Sequence, residues 1–503
     1  MVPGPARMKL RGATFVVMAV VAALLWFGTT ALATPFDHDE SQYIAGAWFS
    51  SRMLVYRDFL YLQPPLHSWL FAPLAVAFPG KMLAAMRLVT AACAAGTLLL
   101  LYHAQRLAGI SRGSGAIAAA LMAATAAFQF TASVTRNDML PTLLATLAML
   151  LMMAALKIAG RRFWFGAGLC FGLAIATKLN FIPLGAAAGA FALLAYRRHA
   201  PWLVLGLLAG VAPMIMAWAL APEAFSYGVI TFAATGPFAW YAANGAGDEL
   251  AIGEKFGDLV KYLWRGPALV ALVVILGHGW MRRGQAWPPE RQLAFWMIGG
   301  GLIGAALPTP SQVQYVMPLL PPLGLALGHV LDDARQWREG IRAGLVVLLS
   351  LAAVKGMLPV SRHVMAMTRH GSPVLAASAD ARWAGAQVRA LADGDEIVSL
   401  SPQLLVDSGL NIDRRFAAGP FVYRTGWTME TARARRIHAM IPANLADLDR
   451  NPPDAILVGY EMGTRKLPLR PDDGLIAYAK RRAYRMLAMP DGVGKLYIRP
   501  SRR

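Results

Sequence analysis

Asp37-His38-Asp39-Glu40, followed by Tyr43, is the densest polar cluster in the chain, and it stands just after a long apolar run. Carboxylates at a membrane boundary are costly unless they are solvated, paired or used. Used, a carboxylate takes the proton of a hydroxyl or amine and makes it a nucleophile. Unused, the cluster is a solvated loop that stops a helix. Arg136-Asn137-Asp138 lies between two uncharged runs and can set a second acid opposite the first cluster; the alternative is a local Arg136–Asp138 pair capping a helix. Lys178 is an isolated charge between apolar runs, suited to a lipid phosphate or to snorkelling toward the interface. Arg52, Arg57 and Arg87 add positive charge for a phosphate. His38 and His67 are candidate metal ligands without zinc spacing. Acids that activate a nucleophile beside cations that hold a departing phosphate suit transfer of a group from a phospho-lipid. The residues alone do not fix which group.

The elements that must position these residues are membrane helices. Of 503 residues, 57% are hydrophobic and only 15% are charged. Soluble domains carry about 25% charge. The net charge of +20 is spread in pairs between apolar runs, as Arg161-Arg162, Arg197-Arg198 and Arg282-Arg283, which fits cytoplasmic anchoring and not nucleic-acid binding. Cys93 and Cys170 lie inside apolar runs and read as small fillers. Apolar segments at 12–36, 88–105, 113–135, 139–156, 163–177, 179–196, 200–222, 266–281, two within 292–331, and 341–358 predict about eleven spans. With the N-terminus in the cytoplasm, five basic loops fall on the cytoplasmic side and the C-terminal segment falls in the periplasm. The piece 66–79 is short for a span and reads as interfacial or re-entrant. The aromatic loop 223–264 reads as a cover.

The predicted fold is therefore an all-α multi-pass membrane domain over residues 1–360, with a small periplasmic α/β domain over 361–503. Strand-like runs at 397–400, 455–458 and 495–498 and a helix at 429–447 carry the second expectation. That segment has no Gly-rich phosphate loop and no hydrolase nucleophile elbow.

Asp39-Glu40-x-x-Tyr43 after the first span resembles the acidic motif of the GT-C class of membrane glycosyltransferases. More narrowly, the chain is similar to the bacterial protein O-mannosyltransferase-like and aminoarabinose-transferase-like group, glycosyltransferase families 39 and 83. Arg57-Asp58-Phe59, Gln63-Pro64-Pro65-Leu66, Arg87-Leu88, Arg136-Asn137-Asp138-Met139-Leu140, Thr177-Lys178 and Gln314-Tyr315-Val316-Met317-Pro318 follow in the family's order. The resemblance implies a polyprenyl-phosphate-linked sugar as donor and inversion in a single displacement. It implies Asp39 as base with Glu40 beside it, Asp138 organising the site, and Lys178 near the donor phosphate. Arg57, Arg87, Tyr43, Arg136 and Tyr315 are the further donor-binding candidates. The 223–264 loop would meet an acceptor, which is lipid A or another glycolipid, a polysaccharide or a protein. Some relatives use a divalent metal, for which no ligands are assigned here. The late turn Ser311–Tyr315 departs from the family in carrying no charge. Two other classes fit many spans: a transporter or flippase of envelope lipids, which predicts internal repeats, and a non-enzymatic envelope-assembly protein.

Overall fold

The computed structural model describes residues 5–158 and 160–501, with side chains from residue 14 onward. Met1, expected in the cytoplasm, lies outside the described residues. Each of the eleven predicted apolar segments is helical. Among the described residues, however, six helices are long and apolar enough to cross a membrane, and eight if two bent pairs each count as one span. The difference from eleven has three sources. Helices Arg161–Ile175 and Ile182–Ala195 have 15 and 14 residues, or only about 22 Å of rise. Pro289–Ala306 opens on Glu290 and Arg291. The segments 113–135 and 266–281 belong to pairs bent by 68° and 93°.

Two features of the bundle matter for the site. Helices Arg161–Ile175 and Ala200–Leu220 meet along glycines. A Cβ on Gly168 would lie 1.9 Å from the Leu203 carbonyl oxygen, and one on Gly210 would lie 2.3 Å from that of Leu169. Only residues without side chains let two backbones approach this closely. The predicted interfacial piece 66–79 is two short helices, Leu66–Phe71 and Pro73–Ala77.

After the long helix Glu339–His370, helix Pro373–Leu391 leads into a mixed sheet. Its strands are β1 (Glu396–Ser399), β2 (Asn411–Ile412), β3 (Ala455–Val458), β4 (Arg485–Ala488) and β5 (Lys495–Ile498), in the order β2-β1-β3-β5-β4. β2, β1 and β3 are parallel, with Ile397 opposite Ile412 and Ala455. β5 and β4 join antiparallel, with Tyr497 opposite Ile456 and Met486. β3 is buried at every position, as expected of an apolar strand covered on both faces. The helix expected over 429–447 is two pieces, Thr431–Arg436 and the 3₁₀ segment Pro442–Asp449. Pro442 disfavours the helical conformation at Ile441, which is extended.

The sheet domain is not a separate ball on a tether. One apolar core runs from the first loop (Tyr43, Phe49, Phe59, Tyr61) into the sheet domain (Ile397, Ile412, Ala455, Leu496). Polar contacts reinforce it: Asp407 accepts from the Met82 backbone N–H at 2.7 Å, and Arg382 donates to the Gly80 carbonyl at 2.7 Å.

Candidate functional site

Three loops at one end of the bundle bring the charged residues together. Pro35 disfavours helix at Thr34, so the first helix stops at Ala33 and the chain turns through Asp37–Asp39 before helix Glu40–Ser50. Helix Ala126–Ser133 ends in the extended Val134, and Thr135–Asp138 bridges to helix Met139–Ile158. Lys178 is extended between helix Arg161–Ile175 and the turn Leu179–Phe181. Asn137 ties the loops to one another, donating at 3.0 Å to both Gln63 Oε1 and the Thr177 carbonyl.

Arg136 is the centre. Its guanidinium lies 2.5 Å from Asp37, 2.7 Å from Asp39 and 3.4 Å from Asp138. Lys178 pairs with Asp138 at 2.5 Å and lies 5.0 Å from the Tyr315 ring centroid. Tyr43 is buried, with Arg136 5.9 Å from its ring centroid. The Arg136–Asp138 local pair and the contact across loops are thus both present. Burial pushes the Asp39 carboxyl up, but Arg136 and then His38 outweigh it and hold the group well below the usual carboxylate range. Burial lowers Lys178 more than Asp138 raises it. Asp39 is therefore ionised and needs no prior deprotonation to accept a proton.

These groups open on a cavity of about 600 Å³. Asp39, Tyr43, Arg136, Lys178 and Tyr315 line it, and the late turn contributes Gln312 and Gln314. The 223–264 segment does reach it, through helix Phe232–Ala243, which sends Pro237 and Tyr241 into the wall; helix Ile252–Leu263 contributes no lining residue. The C-terminal domain supplies Phe421 and Arg424, which no reading of the sequence singled out. Arg424 is one arginine in an arginine-rich segment, so only the docking of that domain distinguishes it.

Four of the expected residues do not line the cavity: Asp138, buried and paired with Arg136 and Lys178, and Glu40, Arg87 and Arg57. Glu40 and Arg87 are fully buried against each other, at 2.5 and 2.9 Å. Glu40 also accepts from the Thr135 and Asp37 backbone N–H groups, and Arg87 donates to the carbonyls of Ala31, Thr34, Pro35 and Ser133. Neither lines the cavity. Arg57 is exposed and pairs with its neighbour Asp58. His67 is buried with both ring nitrogens unpartnered, and it stacks on Phe71. His38 contacts Glu461 at 3.0 Å and Asp39 at 3.6 Å. Among the described residues no three His, Cys, Asp or Glu side chains form a metal-ligand group.

Comparison with known proteins follows the same outline. A family model described as dolichyl-phosphate-mannose-protein mannosyltransferase matches residues 62–220, about a third of the chain. No curated protein matches the sequence. Solved structures match over nearly the whole length. ArnT from Cupriavidus metallidurans in the apo state shares 17% identity over 97% of this chain and 98% of its own, with a TM-score of 0.59. The same protein bound to undecaprenyl phosphate shares 16% identity over 96% and 98%, with a TM-score of 0.57. The fold is shared with these structures. The apo oligosaccharyltransferase of Archaeoglobus fulgidus is similar over 89% of this chain and 70% of its own, at 12% identity and a TM-score of 0.52. The stretch matched by the family model holds Arg136, Asp138 and Lys178 and begins after Asp39.

Proposed function

We propose that the protein transfers a sugar from a polyprenyl-phosphate donor to an acceptor at the periplasmic face of a bacterial inner membrane, inverting the anomeric centre. The observation that carries this reading is the half-exposed Asp39 carboxylate on a cavity at the helix ends, beside Arg136 and Lys178. The shared fold and the match to a lipid-phosphate-sugar transferase model support it. Membership of the GT-C class, and of its narrower protein O-mannosyltransferase-like and aminoarabinose-transferase-like group, is part of the proposal.

In the mechanism, Asp39 accepts the proton of the acceptor hydroxyl or amine as it attacks the anomeric carbon. The bond to the phosphate oxygen breaks from the opposite side. Asp138 acts by holding Arg136 and Lys178 in place, and Lys178, Tyr43, Arg136 and Tyr315 receive the donor. Glu40 supports Arg87 instead of the reaction. The acceptor, a glycolipid, glycan or protein, enters under the cover that Tyr241 belongs to.

Asp39→Asn preserves shape and removes the base. Initial rates with a polyprenyl-phosphate-linked sugar should fall at least about a hundredfold. Transfer at nearly the native rate would sink this mechanism.

The proposed orientation places the N-terminus in the cytoplasm and the C-terminal domain, from about residue 361, in the periplasm. The basic loops support it, because they stand at the other ends of the same helices. There Lys157 pairs with Glu290, and Arg282 and Arg291 pair with Asp333. Reporter fusions after Arg283 should read cytoplasmic and those in the sheet domain periplasmic. The reverse pattern would invert the model.

A further inference from the structure

Three cations line the cavity, and they differ in what they hold. Arg136 has three carboxylates and Lys178 has one. Arg424 has none: among the described residues its side chain makes no ion pair or hydrogen bond, and its Nε is buried without a partner. It is nonetheless fixed. Its guanidinium carbon lies 4.7 Å from the ring centroids of both Trp240, on the covering helix, and Phe421, in its own domain. Asp39 and Glu461 act on it electrostatically from beyond ion-pairing distance, and Glu461 is already paired with His38.

A guanidinium offers five N–H donors in a rigid fork. Stacking on aromatic rings satisfies its faces and leaves that edge free. Removing a charge from water without a partner is unfavourable, so a held, half-buried arginine with no acidic partner is poised for an anion. Bidentate pairing with a phosphate fits the fork best. The late turn of the same wall carries no charge of its own, and Lys255, which reaches it, already donates to the Leu307 carbonyl and the Thr309 hydroxyl.

We propose that Arg424 is an anion-binding residue for a phosphate group in the cavity, so that the C-terminal domain forms part of the binding site. The existence of the site does not depend on the proposed function; the assignment of its phosphate to a lipid donor does.

The test uses the full-length protein in nanodiscs and measures binding of undecaprenyl phosphate, undecaprenol and inorganic phosphate. The wild type, Arg424→Gln, Arg424→Lys and the exposed control Arg435→Gln are compared. The readout is the preference for the phosphate over the alcohol within each variant, because partial misfolding lowers both affinities and leaves their ratio unchanged. Arg424→Gln should cut that preference about tenfold to a hundredfold. Arg424→Lys should keep part of it, and Arg435→Gln all of it. Loss of inorganic phosphate alone, with the lipid preference intact, supports the anion site, overturns its assignment to the donor and gives the phosphate to the acceptor. An Arg424→Gln protein with native preference and native phosphate binding overturns the proposal. A wild type that binds inorganic phosphate through Arg424 but shows no preference for undecaprenyl phosphate supports this site while removing the lipid-donor reading.

Discussion

Arg87 and Arg136 are each single arginines near a membrane boundary, each paired with an acid from the Asp37–Glu40 cluster, yet they belong to different kinds of place. Arg87 is wholly enclosed, and four backbone carbonyls and Glu40 take up its donors. Arg136 stands on a cavity wall and is shared among three carboxylates, two of which are partly open to solvent. A closed pair locks four helices and a loop together. An open one can exchange a partner for a substrate. One tetrapeptide feeds both: Glu40 points into the knot and Asp39 into the cavity, so adjacent acids are divided between architecture and chemistry.

The largest effect that would break this comparison is on the closed pair. Arg87→Met leaves Glu40 buried and unpaired, and should destabilise the fold by about 3–5 kcal/mol. Thermal melting of the purified protein measures this. A native melting curve would mean that the knot is not structural. Asp39→Asn should do the reverse, melting near the wild type while transfer falls at least about a hundredfold. Asp37→Asn, which loosens Arg136 without removing the base, should cost far less in rate. A smaller effect sharpens the cavity side. Lys178→Ala removes one charged contact, and should weaken use of the lipid donor roughly tenfold with Arg136 still beside Asp138. Unchanged donor kinetics would reassign Lys178 to holding Asp138 alone.

The smallest prediction concerns the contact between His38 and Glu461. Burial lowers the His38 pKa, but hydrogen bonds to Asp39 and Glu461 raise it further, to about 9. A raised histidine contributes its stabilisation in full below its ordinary value of 6.5 and loses it as pH rises through about 9. Hydrogen-exchange protection in residues 459–472, taken relative to the intrinsic exchange rate at each pH, should therefore fall over that interval. In His38→Gln the exchange should show no such step; a step that persists would place the titrating group elsewhere.

Much of this arrangement was legible in the residues. Apolar runs located the helices, and a charge at the end of an apolar run marked Asp39, Asp138 and Lys178 as meeting at one face. The division between Arg87 and Arg136 was not legible. Both are isolated cations, and what separates them is whether carbonyls freed at helix ends surround the side chain, which depends on packing. Arg57 was misleading for a related reason: Asp58 stands next to it and pairs with it locally. Fewer than eleven helices are long and apolar enough to cross alone, because an apolar run reports burial and not length, and a helix of 15 residues packed among others is as apolar as a longer one. Arg424 had no local signal at all, since its place on the cavity follows from a core shared between segments far apart in the chain.

The glycine contact between helices Arg161–Ile175 and Ala200–Leu220 sets how the cavity can change shape. Two rods touching backbone to backbone, with Gly168, Gly172, Gly206 and Gly210 at the seam, bend as one beam. Lys178 follows directly from the end of that beam, so its travel is tied to both helices. The opposite wall is built differently. A π-helical turn at Tyr227–Thr231 feeds the helix Phe232–Ala243, which has Pro237 in its middle and so lacks one backbone hydrogen bond. The cavity thus meets a stiff support behind Lys178 and, at Pro237 and Tyr241, a wall whose backbone ladder is interrupted.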